Sequence, residues 1–93
     1  MASIGGGDAA QRSELVFAIR LPPEELAGRD IEGTRDRILH SVQEADPHAG
    51  CSCDAEGGGE WLTIAVMAPA CLWAASLAAV QDEFPGHEVL SRQ

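Results

Sequence analysis

From Trp61 to Val80 the chain carries no charged residue, and no other feature restricts its fold as much. Twenty uncharged residues in a row is enough to cross a bilayer as a helix. Three features oppose a membrane span. Pro69 stands in the middle, where it would remove an internal helix hydrogen bond. Seven of the residues are alanine, which contributes little to insertion. The flanks are acidic, with Glu60 before and Asp82 and Glu83 after, and no nearby Lys or Arg orients the segment. The stretch therefore reads as a buried strand, a proline break and a buried helix.

The strand covers residues 61–67. Leu62, Ile64 and Val66 share one face; Thr63, Ala65 and Met67 share the other. Pro69 takes a first-turn helix position, where a missing N–H costs nothing. The helix runs to about Phe84, with Trp73, Leu77, Val80 and Phe84 as its main stripe and Leu72, Ala75 and Ala79 widening it. Ala74 and Ala78 leave even the back apolar. Phe84-Pro85-Gly86 stops it.

The same alternation assigns the remaining elements. Residues 13–21 form a strand, with Leu15, Phe17, Ile19 and Leu21 facing the core and Val16, Ala18 and Arg20 facing away. Pro22-Pro23 ends it, because proline cannot donate to a ladder. Residues 24–29 make a loop or a single turn. Residues 30–44 form an amphipathic helix with Ile31, Ile38, Val42 and Ala45 on one stripe and Leu39 beside it. Asp30 is its expected N-cap, and Glu32 suits the first-turn dipole. Gly33 weakens the helix start by roughly 1 kcal/mol against alanine. Residues 49–55 form a short strand, and Glu56-Gly57-Gly58-Gly59 turns it back into the 61–67 strand as a hairpin. A last short strand occupies 87–91. Residues 1–12 are small and polar, with three successive glycines, and read as a disordered tail before a single domain over 13–91.

The order β-α-β-β-α-β, with right-handed crossovers, yields an α+β sandwich: a four-stranded antiparallel sheet with two helices on one face. Over residues 13–91 this resembles the ferredoxin-like fold. The resemblance rests on element order, and that fold hosts many unrelated functions.

A sheet covered on one face should be polar on the other. Here the uncovered face carries Val16, Ala18, Thr63, Ala65 and Met67, with Trp61 at its border and Arg20 as its one charge. So apolar a face points to a cover: a second copy, a protein partner or a ligand. Two-fold homodimers are the commonest assembly, and self-association is the leading expectation. The alternative is an ordinary exposed face rich in alanine and threonine.

Composition narrows the function. Fifteen acids against six arginines give a net charge of −9, with no lysine. Such a field repels phosphate backbones and anionic bilayers, which argues against nucleic-acid and membrane binding. It also removes lysine-based covalent chemistry. Glu24, Glu25, Asp30 and Glu32 form an acidic patch suited to a basic partner, or simply a solvated face. Three cysteines, an odd number, fit a reduced and hence cytoplasmic setting better than a disulfide framework. Cys51 and Cys53 share a strand face with Cα atoms about 6.6 Å apart, near the limit for bridging. Two thiols side by side are weak candidates for a soft-metal site, with Cys71 or His48 as further ligands. Packing as small core residues is the stronger reading. The start of the chain has neither the basic nor the apolar region of a secretory signal.

No nucleophile–base set can be assigned to His40, His48 or His87 from spacing. The Gly57–Gly59 run lacks the lysine of a phosphate loop and is flanked by acids. No cofactor is expected. The sequence thus points to a small acidic interaction or regulatory module without catalysis, homodimeric through its open sheet face. The alternative is a small enzyme or ligand-binding protein: dimeric α/β-barrel monooxygenases and isomerases are similar in size and element order. That resemblance implies a pocket near Trp61, Met67, His48 and His87. The third reading is a soft-metal carrier through Cys51 and Cys53.

Overall fold

The first strand, β1 (Ser13–Arg20), alternates as its sequence requires: Leu15, Phe17 and Ile19 are buried, while the residues between them are not. The computed structural model describes residues 12–55 and 60–92. The expected tail over 1–11 and the 56–59 turn lie outside the described residues. Arg12, assigned to that tail from sequence, donates from Nε and Nη2 to the two carboxylate oxygens of Asp46, at 3.0 and 2.9 Å.

Pro22 and Pro23 end β1 and start a single turn of helix, α1 (Pro23–Ala27), which seats Leu26 in the core. The first long helix, α2 (Ile31–Gln43), begins at Asp30, whose carboxylate accepts from the Gly33 N–H at 3.0 Å. Its buried stripe is Thr34, Ile38 and Val42. Ala45, expected on that stripe, is exposed, because the helix ends at Gln43 and Ala45 falls beyond its last turn.

The hairpin strands are β2 (Gly50–Ala55) and β3 (Trp61–Ala68). A 3₁₀ turn (Ala70–Leu72) leads into the second long helix, α3 (Trp73–Glu83), and β4 (Val89–Arg92) completes the sheet. The four strands lie in the order β2-β3-β1-β4 with every neighbouring pair antiparallel. β1 and β3 pair along their whole length, from Ser13 opposite Ala68 to Arg20 opposite Trp61.

One buried cluster joins Leu15, Phe17, Ile19, Leu62, Ile64 and Val66 of the sheet to Ile38 and Val42 of α2 and to Val80 and Phe84 at the end of α3. The face that α3 turns inward differs from the expected stripe. Ser76, Ala79 and Val80 are buried, Trp73 and Leu77 are half-buried, and Ala75 is exposed. An alanine-rich helix is apolar nearly all round, so its pattern fixes no direction. Small Ser76 and Ala79 lie on the side of the helix that is buried. The bulkier Trp73 leans outward, its indole N–H donating to Ser91 of β4 at 2.7 Å.

Among the described residues, no helix is long and apolar enough to cross a membrane. The Pro69 break divides the uncharged stretch, as its chemistry demands.

Candidate functional site

Antiparallel partners place their side chains on the same side of a sheet, so the register defines the uncovered face row by row. One row runs Leu90, Ala18, Thr63, Asp54 across β4, β1, β3 and β2. The next crosses Val16, Ala65 and Ser52, and the one beyond it Glu14, Met67 and Gly50. At the opposite end Arg20 faces Trp61. The centre is thus built from small side chains, which let another surface approach the backbone closely.

Val16, Ala18, Trp61, Thr63 and Ala65 are half-buried. Among the described residues, the exposed large apolar side chains are Met67, at 41%, and Leu90, at 46%. Both stand on this face, Met67 in its end row on β3 and Leu90 two rows away on edge strand β4. Between the Trp61 end and β4 lies a hollow of about 320 Å³ lined by Val16, Ala18, Trp61, Thr63, Leu90 and Ser91. Met67 lies at the far end of β3 from it. Arg20 reaches Glu60 at 3.0 Å, both side chains well exposed. A pair this open to solvent is worth at most about 1 kcal/mol and leaves Arg20 available to another acid. Glu14 has no ion-pair partner among the described residues.

The structure therefore brings Val16, Ala18, Arg20, Trp61, Thr63, Ala65 and Met67 onto one surface. Sequence reading missed Leu90, Glu14, Ser52 and Asp54 there. For Leu90 the signal was weak, since a four-residue terminal strand gives too few alternations to assign its faces. Glu14 was legible as the outward neighbour of Leu15.

The acidic patch is less continuous than expected. Glu24 and Glu32 are exposed, but Asp30 is occupied as a helix cap and Glu25 lies 3.3 Å from His87 Nε2. Arg29 and Arg37 interrupt it, lining with Glu25, Asp30 and Thr34 a shallow hollow beside α2. Arg29 lies over the Phe84 ring, 4.3 Å from its centroid, and donates to Thr34 Oγ1 and the Glu83 carbonyl.

Cys51 and Cys53 lie opposite Val66 and Ile64, so they sit on the covered side of edge strand β2, half-buried against the core. The two thiols influence each other. Hydrogen bonding from Cys51 holds Cys53 below the ordinary thiol range, with the positive charge of Arg35 adding to the effect. The same pairing, followed by burial, pushes Cys51 up. Cys71, considered from sequence as a neighbour of this pair, is exposed on the 3₁₀ turn. Among the described residues, no three His, Cys, Asp or Glu side chains are grouped to hold a metal ion. His40 and His48 are exposed, whereas His87 is half-buried, edge-on to Phe84.

No protein-family model, curated protein or solved structure matches the chain.

Proposed function

We propose that this protein is a small acidic interaction module without catalysis, and that it self-associates through the open face of its sheet. We read its element and strand order as the ferredoxin-like arrangement, with both long helices on the same side. One observation carries the functional reading. The exposed large apolar side chains among the described residues, Met67 and Leu90, border a centre of small apolar residues, Val16, Ala18 and Ala65, on the side that no helix covers. Exposed apolar surface of this kind, concentrated on one face, is the usual mark of a protein contact.

Magnitudes set the strength of the contact. Four strands spaced ~4.8 Å apart and ~20 Å long present a face of roughly 400 Å². Two such faces remove about 800 Å² or somewhat more from water, less than the ~1,200 Å² at which stable specific interfaces begin and in the range of weak, transient contacts. The dimer should therefore dissociate on dilution. A further protein partner would be met by the acidic remainder of the surface, which favours basic chains over nucleic acid.

Sedimentation equilibrium over a wide concentration range tests this. Wild-type protein should shift from monomer to dimer with concentration, and Ala65→Arg at the centre of the face should stay monomeric. A wild-type monomer at every concentration would remove the proposal, and so would an Ala65→Arg variant that dimerises as well as the parent.

The hollow beside Trp61 and Leu90 favours a second reading, a small apolar ligand on the same face. In that case an apolar dye should bind the monomeric Ala65→Arg variant and change its tryptophan emission. An unchanged emission spectrum would eliminate it.

A further inference from the structure

The sheet face has a polarity that specifies how two copies meet, an inference resting on the self-association proposed above. Along β1, the outward residues are Glu14, Val16, Ala18 and Arg20: an acid, two apolar residues and a base. Along β3, the outward residues begin at Trp61, beside the hollow, and end at Met67, which projects into solvent. Each central strand therefore carries complementary features at its two ends.

We propose that two copies stack face to face about a two-fold axis that lies between the sheets and crosses the strands at right angles. Such an axis reverses strand direction and keeps each strand above its own copy. It passes β1 near Phe17 and β3 near Ile64, midway between the paired positions. Glu14 then faces Arg20 of the second copy, and Arg20 faces its Glu14. The same operation sets Met67 above the second copy's Trp61, where its flexible thioether enters the hollow and meets the ring, a favourable sulfur–aromatic contact. Val16 lies over Ala18, and Thr63 over Ala65, so small residues meet at the centre and the sheets approach closely.

A two-fold axis running along the strands between β1 and β3 would instead lay β1 over the second copy's β3, so that Glu14 would face Met67 and Arg20 would face Trp61, and neither charge would meet its opposite. It would also leave Met67 away from the hollow. Of the two axes, only the one that crosses the strands pairs Glu14 with Arg20 and Met67 with Trp61. Face-to-face sheets keep their strands within about 30° of alignment, so the central strands, nearest the axis, stay in register. The existing Arg20–Glu60 pair does not compete, because a solvated pair is weak enough for Arg20 to be shared.

A charge swap tests the arrangement, with dimer dissociation read by sedimentation equilibrium at low salt. Two-fold symmetry counts each substitution twice, so Glu14→Arg and Arg20→Glu should each raise Kd by about tenfold or more. The double variant Glu14→Arg/Arg20→Glu restores opposite charges across this axis and should return to within about threefold of wild type. In about 1 M salt the single-variant penalty should shrink. The double variant keeps the local cost of losing Arg20–Glu60, so its recovery isolates the contact between copies. A double variant as weak as the singles, alongside a wild-type dimer that Ala65→Arg abolishes, would overturn this axis and leave the open-face proposal standing. A wild-type monomer would overturn both.

Discussion

The indole N–H of Trp73 donates to Ser91 Oγ at 2.7 Å, joining the first residue of α3 to the last strand of the sheet. β4 is only four residues long and pairs with β1 alone, so a single side-chain tie matters more there than in the centre. Ser91→Ala should destabilise the fold by about 0.5–1 kcal/mol. Amide exchange in β4 should accelerate while the β1–β3 ladder stays protected; uniform acceleration across the sheet would contradict a local tie. Because Leu90 neighbours Ser91, the same variant should also weaken self-association.

Ser76 is fully buried on α3, and its hydroxyl has no hydrogen-bond partner among the described residues. An unsatisfied buried hydroxyl costs free energy, and alanine fits the same space with better helix propensity. Ser76→Ala should stabilise the protein by about 1 kcal/mol, seen as a higher urea midpoint at unchanged slope. A loss of stability would mean that the hydroxyl is bonded in solution.

Gly33 and Asp30 should be coupled. The glycine N–H receives the Asp30 cap, and a Cβ at position 33 would overlap that carboxylate. Gly33→Ala alone should then be near neutral, its propensity gain offset by the lost cap. In an Asp30→Ala background the same change should stabilise by about 1 kcal/mol, and a double-mutant cycle on thermal stability measures the difference. Equal effects in both backgrounds would show that cap and glycine are independent.

Asp46 fixes an acid limb of stability. The Arg12 side chain, hydrogen-bonded to the carboxylate, holds it below the usual carboxylate range, and the His48 N–H adds to this against the opposing effect of burial. A depressed folded value means that the contribution is fully present above the unfolded pKa, near 3.9, and disappears as pH falls through the folded value. Urea unfolding across pH should show Asp46→Asn less stable than wild type at neutrality. The two curves should converge in acid; a gap that stays constant with pH would exclude the linkage.

Cys53 should be the more reactive of the β2 thiols. Its lowered pKa, caused first by hydrogen bonding from Cys51, makes it the readier thiolate of the pair. Peptide mapping after brief alkylation should find Cys53 modified ahead of Cys51, with its rate rising at a pH below that of an ordinary thiol. Cys51→Ala should move that rise to higher pH. Modification of Cys51 first would reverse the assignment.

Local chemistry made much of this protein legible without coordinates. The alternation of Leu15, Phe17 and Ile19 with Val16 and Ala18 assigned both faces of β1, because side-chain direction in a strand has a period of two. Pro69 and its acidic flanks divided the uncharged stretch, and Asp30 announced the start of α2. The outward apolar residues of β1 and β3 marked the surface on which the functional proposal rests. Other features depended on residues far apart in the chain. The rotation of α3 buries Ser76, Ala79 and Val80, a choice its sequence did not announce, since an alanine-rich helix presents no dominant stripe. Leu90 joined the open face only when β4 aligned beside Ala18, and Asp46 gained its partner only when Arg12 returned across the fold. A one-dimensional pattern records which way a side chain points from its own backbone; which neighbour it meets is decided by long-range pairing and packing.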